Sequence, residues 1–326
     1  MKPSNRRAMS AAALLSIALT AMAPAAAQDY PNRPIRMVTP IAAGGMTDVV
    51  SRVVGARLAE RLGQPVVIEN RAGAGGGIGT EAVARAAPDG YTLLFAYPGP
   101  IVVNPSLLKS LSYDPERDLA AVSLLGTYPM VLAVHPSVPA KSVSELVDYA
   151  KRHAGQLTYG SAGNASTSHL AMELLRREAG IEMTHVPYKG AAPAMTDLIA
   201  GRIQLVFDSV QLVMPQHQAG RLRALAVSSR ARSPTVDLPG MADAGLSSVD
   251  VTGWFAIFVP AGTPRPVIDR LSRELGAIVR DPAMVADLLG RGIAAVGTAP
   301  EGLATRVSEE RKTWQRVITQ AGIRAD

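Results

Sequence analysis

A chain of 326 residues, 48% hydrophobic and 18% charged, can bury a substantial core and is too long for one compact layer, so two domains are expected. It has no cysteine, which excludes disulfides, thiolate metal sites, cysteine nucleophiles and lipid attachment through an N-terminal cysteine. The net charge is +6, of which Lys2, Arg6 and Arg7 belong to a leader. The remaining +3 is spread along helices, and with 4 Phe, 8 Tyr and 2 Trp for stacking, no nucleic-acid partner is expected.

Residues 1–27 read as a signal peptide: a basic start, an apolar stretch over 8–23, and Ala25-Ala26-Ala27 as an A-x-A-type cleavage site. The apolar stretch falls short of the ~20 residues that span a bilayer, and no later run is long enough. Cleavage near Ala27 would leave an exported periplasmic protein starting at about Gln28. Arg6-Arg7 leaves a twin-arginine export route open beside the general secretory one.

Ile35–Thr39 reads as a buried strand that runs into Pro40-Ile41-Ala42-Ala43-Gly44-Gly45-Met46-Thr47-Asp48. A helix follows with Val50, Val53, Val54, Leu58 and Leu62 on one face and Gly63 at its end. Thr47 is the expected cap. Asp48 falls in the first turn, where its charge suits the helix dipole and where it could also orient a ligand. Residues 66–68 form the next strand, followed by a glycine-rich loop over 70–79 and a helix over 80–87. Gly77-Ile78-Gly79-Thr80-Glu81-Ala82 matches GxGxxA, but its glycines start several residues after the strand. The following strand, 91–97, ends in Tyr97-Pro98 with no acid for a ribose, which argues against a nucleotide. Pro98-Gly99-Pro100 reads as a rigid turn.

Leu119–Val134 is a long extended run, broken at Gly126, that can pass from one domain into a second. His135-Pro136 and Val138-Pro139 end it. Ser142 and Glu145 form a capping box for a helix over 143–153. A short strand over 157–159 then enters a loop of small residues, Gly160 to Thr167, and a helix over 168–179 that buries Leu170, Ala171, Leu174 and Leu175. This is a second copy of strand, small-residue loop and helix N-terminus. Ser166 or Thr167 caps the helix. The same loop presents backbone N–H groups and hydroxyls where the helix dipole favours an anion.

Further on, 185–190 is a strand and turn containing Tyr188 and Lys189, and 191–200 a helix stopped by Gly201. A strand over 203–207 ends in Asp208-Ser209, at the ligand edge of a parallel sheet, and 222–227 is one more strand. The apolar run 249–259 leads back toward the first domain. Thr263-Pro264, Asp281-Pro282 and a capping box over Thr298 and Glu301 open three closing helices. Alternating strand and helix implies α/β domains with mainly parallel sheets, and ligands collect outside the carboxyl ends of such strands. Crossings near 125 and 252 make lobe 1 residues 28–125 plus 252–326 and lobe 2 residues 126–251.

The blocks YPNRPIRMVTPIAAGGMTD, NRAGAGGGIGTEAVARAAPDGYTLL, GSAGNASTSHLAMELL, HVPYKGAAPAMTDLIAGRIQLVFDS and WFAIFVPAGTP, in this order and spacing, resemble the substrate-binding proteins of tripartite tricarboxylate transporters, the Bug receptor family. The resemblance covers essentially the whole chain after the leader. It implies a two-lobed periplasmic binding protein of type II-like architecture with the ligand cleft between lobes, and delivery of a small organic carboxylate to membrane transporter subunits. It also implies carboxylate binding by backbone amides and ordered waters at Ala43, Gly44, Gly45 and Asp48. Gly163, Asn164, Ala165, Ser166 and Thr167 would contribute from the second lobe, with the region of Asp208 completing the pocket. Family members often carry Phe and Pro where this chain has Thr39-Pro40-Ile41, and a small residue or Pro at Met46, a change that would narrow or grease the pocket.

Neither loop holds an arginine or lysine, so an anion there would be held by neutral dipoles, each charge-assisted hydrogen bond contributing roughly 1.5–3 kcal/mol. Lys189 could reach a distal acid group or simply be solvated. Tyr97 could touch ligand or serve the core, and Thr47 and Tyr188 complete the candidate ligand-binding set. The five histidines show neither an i,i+4 pair nor HExxH, so no metal or cofactor is expected. His169 could act as a base on Ser161 or Ser166, but GSAG is not the G-x-S-x-G elbow, and His169 reads as structural. The expected protein is a monomeric solute receptor and not an enzyme. A sensor presenting its closed form to a signalling receptor is the alternative.

Overall fold

The computed structural model describes residues 30–108, 110–163, 166–188 and 190–322. The leader, Lys109, Asn164, Ala165 and Lys189 lie outside the described residues. Two parallel trios of strands form the frame. In the first, β1 (Ile35–Thr39) pairs with β2 (Val66–Asn70) and with β3 (Thr92–Ala96). In the second, β5 (Leu157–Ser161) pairs with β6 (Met183–Pro187) and with β7 (Leu205–Ser209). The expected parallel sheets are thus present at the outer parts of each half.

Between the trios run two antiparallel strands, β4 (Leu119–Val134) and β9 (Thr252–Pro260). β9 pairs with β3. β4 pairs with β9 over its first part, then with β7 and β8 (Arg223–Val227) over Met130–Val134. The apolar run 119–134 is therefore one strand crossing from half to half. Gly126 does not break it but sits at a register shift, where a Cβ would lie 2.7 Å from Ile293 and 2.9 Å from the Ala294 carbonyl. That crowding comes from β10 (Ala294–Ala295), a short strand the sequence did not signal. The result is an α/β architecture with a mixed sheet that curls across both halves.

Helices cover the trios because each carries one apolar stripe. α1 (Met46–Leu62) packs Val50, Val54 and Leu58 with Ile35, Met37 and Phe95 on one side of the first trio. On its other side α2 (Gly77–Ala84) contributes Val83. α3 (Val143–Arg152) is capped by Ser142 as expected, its side chain accepting the Glu145 amide at 3.1 Å. α3 and α4 (Thr167–Glu178) pack on the second trio through Leu146, Leu170, Leu174 and Leu175. α5 (Ala191–Ile199) and α6 (Val210–Gln218) cover its far side through Met195, Leu198 and Val213. The chain closes with α7 (Arg265–Arg280), α8 (Pro282–Gly290) and α9 (Pro300–Ala321).

Two expected caps are replaced. Thr263 donates to the Pro260 carbonyl and Pro264 caps α7; Thr298 accepts the Leu124 amide and Ala299 caps α9. Both threonines tie helices to the crossing strands instead. Asp281 caps α8 as expected, accepting the amides of Ala283 and Met284. Pro98-Gly99-Pro100 does not turn tightly; it enters a π-helical segment, Gly99–Val103, that buries Ile101, Val102 and Val103.

Strand register fixes where a ligand can sit. β3 ends at Ala96, opposite Ala256, which itself faces Leu124 of β4. β7 ends at Ser209, opposite Met130 of β4. The carboxyl edges of the two trios are thus about six residues apart along β4, roughly 20 Å at the usual rise per strand residue. Both small-residue loops leave from those edges.

Candidate functional site

The first loop leaves β1 at Thr39 and exposes Ala42, Ala43, Gly44 and Gly45. Gly44 adopts φ 96° with open space around a notional Cβ, and Gly45 is the N-cap of α1 with no side-chain cap. First-turn amides of a helix have no intrahelical acceptor, so this end is rich in backbone donors. Thr47 is not the cap: α1 already begins at Met46, and Thr47 is buried within the first turn.

Asp48 is also buried, at 4% exposure, and supports the loop from behind. Its carboxylate accepts the Gly44 amide at 2.9 Å, Arg52 Nε at 3.1 Å and the Asn70 side-chain amide at 2.9 Å. Arg52 also donates to Asn70 Oδ1 at 2.9 Å. The Arg52 hydrogen bond first, then the Gly44 amide, hold the carboxyl down to about 2. Asp48 is thus ionised at neutral pH, paired with Arg52, and locks the loop to α1 and the end of β2. The Gly44 N–H is spent on this lock.

The glycine-rich loop after β2 lies beside it and serves packing. A Cβ on Gly79 would stand 2.7 Å from Pro40 Cβ and from the Arg71 carbonyl, and one on Gly76 would stand 2.6 Å from Tyr97 Oη. Tyr97 donates to the Gly75 carbonyl at 3.2 Å, and burial pushes its phenol up to about 12. The GxGxxA pattern therefore reflects close approach between α2, the first loop and Tyr97. α2 accordingly starts at Gly77, three residues earlier than expected.

The second loop leaves β5 at Ser161. Gly163 adopts φ 130°, and a Cβ there would lie 3.2 Å from the Tyr188 carbonyl. Ser166 is the N-cap of α4, accepting the His169 amide at 3.3 Å; Thr167 is the first helical residue. The Ala162 amide donates to Ser168 Oγ at 3.0 Å, and Ser166 and Ser168 hydroxyls lie 3.0 Å apart. Ser161, 2% exposed, has Oγ 3.0 Å from the Gly163 carbonyl, 3.2 Å from the Gly163 amide and 2.6 Å from His185 Nε2.

The histidine on Ser161 is therefore His185, not His169. The His185 ring stacks on His169 at 3.9 Å and 10°, and on Tyr159 at 4.9 Å and 20°. Tyr159 donates to Glu173 at 2.6 Å, and Glu173 pairs with Arg176 at 2.9 Å. Burial first, then the neighbouring His185, lowers His169 to about 4, and burial lowers His185 as well. The stack is neutral at pH 7.

Tyr188 borders the loop through its backbone, its amide donating to the Ser161 carbonyl at 3.1 Å. Its phenol turns to Asp197 at 2.7 Å. Asp208, opposite Val131, is half-buried; Oδ1 accepts the Ser209 amide at 2.7 Å, and burial raises the carboxyl to about 6. No ion pair reaches it among the described residues.

Among the described residues, those singled out from sequence thus fall in two groups, one at the carboxyl edge of each trio, with Thr47 and Asp48 behind the first loop. Sequence reasoning missed Arg52, Asn70 and the Ser161–His185 pair. Arg52 was legible as the i+4 partner of Asp48. His185 faces Tyr159 across the parallel pair β5–β6, which brings it beside Ser161; that required the register. Among the described residues no helix is long and apolar enough to cross a membrane.

Known proteins share this sequence pattern and fold. The family model described as the tripartite tricarboxylate transporter family receptor matches residues 50–323. The BugT protein of Bordetella pertussis is 36% identical over 304 residues, covering 92% of this chain and 93% of BugT. A solved structure of R. palustris Rpa4515 with adipate is 35% identical with a TM-score of 0.79, covering 90% of this chain and 99% of that one. MatC (Rpa3494) from Rhodopseudomonas palustris, solved with bound malate, is 33% identical with a TM-score of 0.75, covering 89% and 100%. With 92% of the chain matched to a relative in sequence and 90% to a solved structure in fold, the chain belongs to the tripartite tricarboxylate transporter receptor family of periplasmic solute-binding proteins.

Proposed function

We propose that this protein, exported with its leader removed near Ala27, captures a small organic carboxylate between its lobes and hands it to a membrane transporter. The lobes comprise residues 28–125 with 252–326, and 126–251. One observation carries the reading: two uncharged loops of small residues, each leading into a helix N-terminus, leave the carboxyl edges of two strand trios that are joined through two crossing strands. Backbone amides around Gly45 and Met46 on one side, and Gly163 to Thr167 on the other, take the carboxylate, with waters bridging at small entropic cost. Tyr97, Tyr188 and Asp208 border the remainder of the ligand. The adipate and malate in the related structures support the ligand class. The receptor works as a monomer, without cofactor, and releases its ligand unchanged.

Calorimetry and thermal shift with adipate, malate, monocarboxylates, amino acids and aromatic acids test this. At least one acid is expected to bind at micromolar Kd, about −8 kcal/mol. At a hundredfold excess over Kd it adds about 2.7 kcal/mol of stability, a melting shift of several degrees. Stabilisation by sugars or cations alone would contradict the reading, and chemical conversion of the bound acid would contradict the receptor role.

A further inference from the structure

We propose that His185 is a positioning residue for the second-lobe loop, acting through Ser161, an inference that rests on that loop's role in holding ligand. Ser161 Oγ has three hydrogen-bond partners and one proton. The Gly163 amide at 3.2 Å can only donate, and the Gly163 carbonyl at 3.0 Å can only accept. The serine proton therefore goes to the carbonyl, and His185 Nε2, 2.6 Å away, supplies a proton to the hydroxyl oxygen. All three bonds are satisfied only with the Nε2–H tautomer. The opposite tautomer would turn the serine proton toward His185 and leave the Gly163 carbonyl facing a lone pair.

His185 is held in plane for this task by Tyr159 and His169, stacked on its faces. Gly163 needs such support. At φ 130° it is gripped at both its N–H and its C=O by one buried hydroxyl, and its carbonyl also accepts the Ser166 amide at 3.2 Å. The chain His185, Ser161, Gly163, Ser166 thus links β6 to the N-cap of α4. The same proton count leaves no lone pair on Nε2 to accept the Ser161 proton, so the pair is built to hold a loop, not to activate a nucleophile.

Nitrogen NMR of the wild-type protein tests the tautomer without any ligand: His185 is expected with Nε2 protonated and Nδ1 bare. The amide exchange of Gly163 is expected to be slow. His185→Gln, whose amide nitrogen reaches the Nε2 position, should keep that protection within about threefold, and His185→Asn, which cannot reach, should lose it by about tenfold, the value of one hydrogen bond. Affinity for whichever of adipate, malate or the other acids binds wild type should follow the same order. His185→Asn should cost nothing further in a Ser161→Ala background. A bare Nε2 in the wild-type protein, or His185→Asn with unaltered Gly163 exchange, would overturn the proposal. Failure of every acid to bind wild type would instead overturn the receptor reading, with the tautomer and exchange results still deciding the role of His185.

Discussion

Individual residues carry opposite pH dependences. His169 falls from an ordinary value of 6.5 to about 4 in the fold because burial disfavours its charged form. The unfolded chain takes up that proton as pH drops below 6.5 and the native protein does not until about 4. His169 therefore contributes stability above pH 6.5 that is lost progressively down to pH 4. Asp208 runs the other way. Raised from 3.8 to about 6, it lets the native state hold a proton the unfolded chain has released, so its contribution is present at low pH and lost as pH rises through 6. In the ligand-free protein, Asp208→Asn is expected to stabilise at pH 7 by about 1 kcal/mol with little effect at pH 4. His169→Gln is expected to flatten the acid-side decline between pH 6.5 and 4. Thermal melts across that range check both; a stability loss in Asp208→Asn at pH 7 would contradict the assignment. Asp208 was legible as a residue at a strand's ligand edge. The stack of His169 on His185 was not, because it depends on which strands are neighbours.

At the level of elements, the two loops were readable from local sequence. A strand followed by small residues and a helix stripe marks both, and the helix stops at Gly63 and the cap at Ser142 came out as expected. Caps that double as tertiary ties were not readable. Thr47, Thr263 and Thr298 all look like N-caps in sequence, yet each is drawn into packing or onto a crossing strand. The glycines of 73–79 were ambiguous for the same reason, since only the nearness of Pro40 and Tyr97 explains them. In the loops themselves the glycines have a different use. Gly44 at φ 96° and Gly163 at φ 130° adopt backbone that a β-branched residue reaches only at a cost of about 1–3 kcal/mol. Gly44→Val and Gly163→Val are each expected to reduce acid binding below detection by calorimetry while preserving far-UV circular dichroism and cooperative melting. Retained affinity in both variants would place the ligand's donors elsewhere.

On the scale of the molecule, β4 and β9 join the two strand trios, each of which leads through a small-residue loop into a helix N-terminus. Both tryptophans anchor this waist. Trp254 on β9 donates to Glu310 at 2.8 Å, and Trp314 on α9 donates to the same carboxylate at 3.2 Å, so the last helix is fastened to the crossing strand. The crossings near 125 and 252 were visible as long apolar runs, whereas the antiparallel pairing of β4 and β9 that joins the two trios came only from the fold. Beside the first loop, Arg52 is already engaged by Asp48 and Asn70 and Arg71 by Glu69, which supports the proposal that neutral dipoles meet the carboxylate. A crystal structure of the protein with its co-purified acid, identified by mass spectrometry, measures this directly. The account predicts a carboxyl group within hydrogen-bond reach of the amides around Gly45 and of the loop from Gly163 to Thr167, with Arg52 still on Asp48. A carboxyl group seated on a guanidinium, or bound away from both loops, would contradict it.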